Sequence, residues 1–76
     1  MQIYDFKVLL EPDEIGGYVA VCPALQGCYS QGDTVAEAMT NIKEAIELCL
    51  EDLRERGDAI PDPSGVLVGS VVVTAE

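Results

Sequence analysis

The sequence predicts a small α+β protein in which strands precede and follow one long helix. Three observations support this prediction: an alternating apolar pattern near the N-terminus, an apolar stripe at helical spacing in the middle, and an uncharged apolar run near the C-terminus. The expected order is β-β-β-α-β, a four-stranded mixed sheet of spatial order 3-2-1-4 with the helix on one face. At 76 residues the chain has room for one domain, residues 1–76.

The first three strands are predicted from alternation and from the turn residues between them. Residues 2–11 place apolar side chains at every second position, which is typical of a half-buried strand. A segment rich in Pro, Asp and Gly separates this strand from a second one at 18–22, so the two should form a hairpin. Pro23 and Gly27 favour another reversal, after which a short third strand covers 28–31.

The helix is predicted over residues 35–56 by signals at both ends. Thr34 and Glu37 fit a capping box, in which each side chain satisfies a backbone amide at the helix start. Gly57 suits the position just past the helix end. One buried face is predicted from the apolar spacing of Val35, Ala38, Met39, Ile42, Ala45, Ile46, Cys49, Leu50 and Leu53.

The apolar run at 66–74 predicts a fourth strand that is covered on both faces. One helix covers only one face of a sheet, yet Ile3 and Leu9 fall on the otherwise polar side of the first strand. Leu48 also lies off the helix stripe, among glutamates. Uncovered apolar surface of this kind usually marks an interface, so we expect a homodimer or homotetramer that uses the open sheet face or the edge of the fourth strand.

The net charge of −10, from 14 acidic and 4 basic side chains, limits the partners. Such a chain repels phosphate backbones, so direct nucleic-acid binding is not expected, whereas a basic protein would be attracted. No apolar run reaches the roughly 20 residues of a membrane span, and the first residues show no secretory signal. The sequence therefore predicts a cytoplasmic protein without a membrane partner.

The thiols and glycines do not match known cofactor or metal motifs. Five residues separate Cys22 from Cys28, the chain contains no His, and Cys49 falls on the buried helix stripe. The glycine segments match neither the phosphate-binding nor the dinucleotide-binding spacing. We expect small buried cysteines, no cofactor and no metal.

The carboxylates are also poorly placed for catalysis. The predicted order resembles the first part of the ribonuclease H fold, whose metal-dependent chemistry needs acids on the first strand, the helix and the fourth strand. Asp5 and the helix glutamates are available, but residues 66–74 contain no acid. No catalytic residues are assigned, and the chain is predicted not to be an enzyme.

One run of motifs resembles the HicB-like antitoxin family. It comprises Gly16, Gly17, Tyr18, Pro23, Leu25, Gly27, Cys28, Gln31, Gly32, Asp33, Thr34, Glu37 and Ala38, followed by Pro61 and Pro63. The resemblance implies a partial ribonuclease H-like fold without catalytic acids. It also implies that the chain neutralises a HicA-type toxin, a small basic ribonuclease that cleaves mRNA. Full-length members of the family continue into a DNA-binding domain, which is not expected within residues 1–76.

Two sets of residues are assigned on these grounds. The expected partner-binding surface combines the acidic helix face with the loop at 23–27: Pro23, Ala24, Leu25, Gln26, Glu37, Glu44, Glu47, Leu48 and Glu51. Structural roles are expected for Gly17, Gly27, Gly32, Thr34, Glu37 and Gly57. Two alternatives to the antitoxin remain: an orphan oligomeric interaction or scaffold domain without a toxin, and, by fold analogy alone, a residual nucleic-acid enzyme.

Overall fold

The computed structural model describes residues 3–75 and shows an α+β fold. Along the chain the elements are β1 (Leu9–Pro12), β2 (Tyr18–Val21), β3 (Tyr29–Gly32), α1 (Val35–Arg56) and a 3₁₀ turn (Pro63–Gly65). The strands form one antiparallel sheet in which β2 lies between β1 and β3. The predicted helix and the predicted order of the first three strands are confirmed.

The first strand pairs over a shorter stretch than predicted. Its ladder with β2 begins at Leu9, opposite Val21. Continuing the same register would put Lys7 opposite Pro23, which has no N–H to donate to the ladder. Residues 5–8 therefore continue the chain beyond the end of β2, although they keep the predicted alternation of half-buried and exposed side chains. Gln2, where the predicted strand begins, lies outside the described residues.

The core lies between the sheet and one face of α1. Its buried members are Ala20, Cys22, Leu25, Cys28, Ala38 and Ile42. Most of the predicted helix stripe packs here, but Val35 and Met39 remain 45% and 42% exposed. Met39 lines an open groove between the N-terminal residues and α1, and nothing among residues 3–75 covers it.

The predicted fourth strand is not formed in the single chain. Residues 66–74, here called the C-terminal arm, belong to no strand of the described structure, and all but the half-buried Val66 are exposed. The edge of β1 that faces away from β2 consequently has no neighbouring strand within residues 3–75. The Cα radius of gyration is 14.4 Å, whereas a compact domain of this length has about 11 Å. The predicted order is therefore correct for 3-2-1, and its fourth position is empty.

Candidate protein-binding surfaces

Both ends of α1 carry hydrogen-bonded caps. At the start, the Thr34 hydroxyl accepts from the Glu37 N–H (3.1 Å), and the Glu37 carboxylate accepts from the Asp33 N–H (3.2 Å). At the end, Gly57 adopts a left-handed φ of 73° and its N–H donates to the Arg54 carbonyl. Glu37 is therefore exposed and also structural, because its carboxylate accepts from the N–H of the residue just before the N-cap.

The sheet and the first turn of α1 meet backbone to backbone. A Cβ on Gly32 would lie 2.5 Å from the Ala38 nitrogen, and a Cβ on Gly17 would lie 2.5 Å from the Gly32 oxygen. The Asn41 side-chain amide also donates a hydrogen bond of 2.7 Å to the Gln31 carbonyl. Gly17 therefore lies against Gly32, and Gly32 lies against the first turn of α1, where a side chain would push the helix off the sheet.

The three cysteines are packing residues. Cys22 and Cys28 are buried, Cys49 is half-buried, and all three are reduced. Burial, aided by the neighbouring Cys49 and Cys22 thiols, raises the pKa of Cys28 to about 12. Thiolates are the reactive form, so Cys28 is inert at neutral pH. Within residues 3–75 no three acidic or cysteine side chains come together in a way that could hold a metal ion.

The outward face of α1 is strongly acidic. Its exposed acids are Glu37, Glu44, Glu47, Glu51, Asp52 and Glu55. Arg56, near the helix end, is already paired with Asp52 (3.0 Å) and Asp58 (3.7 Å). Leu48 is 66% exposed in the middle of this face and offers an apolar contact surrounded by negative charge. This combination suits a basic protein partner better than a nucleic acid.

The loop at 23–27 is only partly available to a partner. Pro23 and Gln26 are exposed and Ala24 is half-buried, but Leu25 is 5% exposed and belongs to the core. The Leu25 N–H donates to the Cys22 carbonyl (3.2 Å), and Gly27 has a positive φ of 72°. Leu25 thus anchors the loop in the core, while Pro23 and Gln26 face solvent. The loop shares a concavity with the last turns of α1, through Gln26 beside Asp52 and Arg56.

A third candidate surface is the open face of the sheet, where the sequence predicts self-association. Leu9 pairs with Val21, which pairs in turn with Tyr29, so the three side chains form a row across the sheet face opposite α1. They are 41%, 40% and 69% exposed. The exposed position of Leu9 was visible in the sequence, but the row depends on cross-strand register, which the pattern of a single strand does not specify.

A fourth surface is an apolar groove of about 770 Å³ between the N-terminal residues and α1. Phe6, Val8, Met39, Ile46 and Leu50 are among its lining side chains. The C-terminal arm, by contrast, exposes apolar side chains without a groove to receive them: Leu67 is 89% exposed and Val72 is 97% exposed. The molecule therefore carries an uncovered apolar groove and an uncovered apolar segment at once.

These features define a class of protein before any comparison is made. Its prominent surfaces are an acidic helix face and uncovered apolar areas, both suited to contacts between proteins. Neither helical element in the described part of the chain combines the length and the apolarity of a bilayer span. The chain is a small α+β protein whose exposed surfaces suit contacts with other proteins.

Comparison with known proteins identifies the family. A family profile described as HicB-like antitoxin of bacterial toxin–antitoxin systems matches residues 6–70. A UPF0150 protein of Synechocystis sp. is 55% identical over 60 residues, which cover 79% of this chain and 76% of that protein. Another from the same organism is 53% identical over 53 residues, covering 70% and 77% respectively. A UPF0150 protein of Thermoplasma acidophilum is 46% identical over 56 residues, covering 74% and 81%. The chain belongs to the HicB-like antitoxin family, which suggests a non-enzymatic role beside a toxin.

Proposed function

We propose that this chain is the antitoxin of a toxin–antitoxin pair and that it inhibits a small basic HicA-like mRNA ribonuclease by binding it. The observation that carries the proposal is the family match over residues 6–70. The net charge of −10 supports it, since opposite charge speeds the encounter with a basic partner. An inhibitor of an mRNA ribonuclease acts where mRNA is translated, so we place the protein in the cytoplasm, without direct binding to nucleic acid.

The surface proposed for the toxin is the acidic face of α1 around Leu48, together with the exposed part of the loop at 23–27. The exposed members of the set are Pro23, Gln26, Glu37, Glu44, Glu47, Leu48 and Glu51, and Ala24 is half-buried. Charged residues at the rim of an interface act mainly on association rate and salt dependence, whereas a central apolar side chain acts on affinity. Leu48 is therefore the expected centre, and the glutamates are the expected rim.

The surface is tested by charge reversal at two matched places. The double variant Glu44→Lys/Glu47→Lys should weaken binding to the basic toxin encoded beside this chain by about tenfold or more at low salt. The control Glu11→Lys/Glu14→Lys makes the same charge change at exposed positions away from α1 and should have a much smaller effect. Titration calorimetry at two salt concentrations measures both. Equal losses of affinity in the two variants would show that the helix face is not the binding surface and that only the net charge matters.

Self-association is a second part of the proposal. The groove and the arm are both uncovered in the single chain, which supports a homodimer or homotetramer. We infer that the four-stranded, partial ribonuclease H-like arrangement of order 3-2-1-4 is completed only in that assembly.

An orphan scaffold is the other candidate function, and the exposed arm is the observation that favours it. Such a protein would assemble with itself and bind no toxin. The two functions separate in one experiment, because a scaffold would form its oligomer and leave the ribonuclease of a neighbouring basic protein fully active.

A further inference from the structure

We propose that two copies of this chain exchange their C-terminal arms, each arm adding as a strand along the β1 edge of the other copy and filling its apolar groove. The β1 edge is the side of β1 (Leu9–Pro12) that faces away from β2, together with the same side of residues 5–8, which extend β1 beyond the end of β2. The inference rests on the self-association proposed above and is independent of toxin inhibition.

The composition of the arm is that of a strand. Residues 66–74 contain five valines and one leucine and no charged residue. Branched side chains of this kind favour the extended backbone of a sheet. Along the arm, Val68 is 63% exposed, Val71 is 86% exposed and Val73 is 77% exposed. A contiguous apolar segment left in water at this level calls for a partner.

The β1 edge offers what the arm lacks. In the described residues, β1 pairs with β2 on one side and with no strand on the other. An open edge presents unpaired backbone groups to any extended segment that can reach it. Phe6 and Val8 beside this edge, with Ile46 and Leu50 across the groove, provide an apolar floor for alternate side chains of an added strand.

The arm begins beside the N-terminal residues of its own copy. Residues 60–67 share a concavity with residues 3–7, so the arm starts close to the β1 edge. This stretch contains the 3₁₀ turn Pro63–Gly65, which the Asp62 carboxylate holds by accepting from the Ser64 N–H (2.9 Å). Residues 68–74 are all exposed in the single chain, and the molecule is 50 Å long but only 19 Å thick.

The exposed surface of the chain matches what an exchanged dimer would bury. A compact protein of 8.1 kDa exposes about 4,500 Å², whereas this chain exposes 6107 Å². The excess is about 1,600 Å² in each copy. Burying it in both copies would give a dimer interface in the range of obligate interfaces, roughly 2,000–5,000 Å² in total.

Charge also favours contact between two copies through the arm and the groove over contact through their other faces. The chain carries a net charge of −10, so most faces of two copies repel each other. The arm is uncharged and enters a groove that is mainly apolar. Reciprocal exchange about a two-fold axis uses both arms and both edges, which leaves neither open and closes the assembly at two.

The exchange is tested by light scattering combined with a matched pair of double variants. The natural chain should be a dimer at micromolar concentration. Val71→Asp/Val73→Asp puts two charges on one side of the arm and should raise the dimer dissociation constant by about 100-fold. Ile15→Asp/Ala36→Asp makes the same change in charge at two exposed apolar positions outside every proposed binding surface and should leave the dimer intact. Circular dichroism should show the same fold for both variants, since all four side chains are exposed in the single chain.

Isotope-filtered NMR distinguishes exchange from any other dimer. In an equal mixture of carbon-13-labelled and unlabelled chain, the methyls of Val71 and Val73 should give contacts to Phe6 or Val8 of the other copy. A monomeric natural chain, a dimer that survives Val71→Asp/Val73→Asp, or contacts found only within one copy would each overturn the proposal. The sample contains no toxin, so this result and the test of toxin inhibition stand or fall separately.

Discussion

The junction of the sheet with α1 and the C-terminal arm differ in how closely their residues are packed. Where β2, β3 and α1 meet, Gly17 and Gly32 allow backbones to touch, and a single added carbon would collide. In the C-terminal arm, large apolar side chains project into water, and a carbon added at Gly69 would meet nothing within 4 Å. The comparison teaches that apolar composition alone does not locate the core. The packed end depends on small residues at close range, and the apolar end stays uncovered in the single chain.

The largest expected effect contrasts the centre of the core with the arm. Ile42 is 1% exposed, so Ile42→Ala should lower the free energy of unfolding by about 3 kcal/mol through lost burial and a cavity. Val72 is 97% exposed, so Val72→Ala should change it by less than about 0.5 kcal/mol in dilute solution. Urea denaturation followed by circular dichroism measures both. A similar loss in the two variants would mean that the arm packs against its own chain.

A smaller effect tests the close approach of backbones. Gly32→Ala must displace the helix start, because the nearest atoms belong to backbone and not to a flexible side chain, and we expect a loss of about 2 kcal/mol. Gly69→Ala is the matched control, with an expected change within about 0.5 kcal/mol in dilute solution. Comparable thermal unfolding of Gly32→Ala and the natural chain would show that the contact at Gly32 is not tight.

The smallest effect at neutral pH concerns the Cys28 thiol. Its folded-state pKa is raised from 9.0 to about 12, chiefly by burial. The unfolded chain therefore ionises first, so the contribution of Cys28 to stability is complete below about pH 9 and is lost as the pH rises towards about 12. The free energy of unfolding, measured across this window, should fall less steeply for Cys28→Ala than for the natural chain. Parallel curves would contradict the raised pKa.

The sequence predicted the elements whose signals are local. The caps at Thr34 and Gly57 and the apolar stripe between them mark α1 without reference to the rest of the fold. The hairpins follow from turn residues, so the order of β1, β2 and β3 was also accessible.

The features that local signals did not determine depend on partners distant in sequence or absent from the single chain. The length of β1 is limited by what opposes it, and Pro23 ends that pairing. The row formed by Leu9, Val21 and Tyr29 depends on the register of three strands. The run at 66–74 has the composition of a buried strand, but composition does not say whether that strand packs against its own chain.

The most direct test of the central claim is a titration of ribonuclease activity. The proposal requires a small basic ribonuclease encoded beside this chain; that protein is purified, its cleavage of mRNA is measured, and the natural chain is added in increasing amounts. We expect cleavage to fall to background near an equal number of toxin and antitoxin chains, with the inhibition weakened for Glu44→Lys/Glu47→Lys. Undiminished cleavage in an excess of folded antitoxin, with no complex detected by light scattering, would contradict the claim.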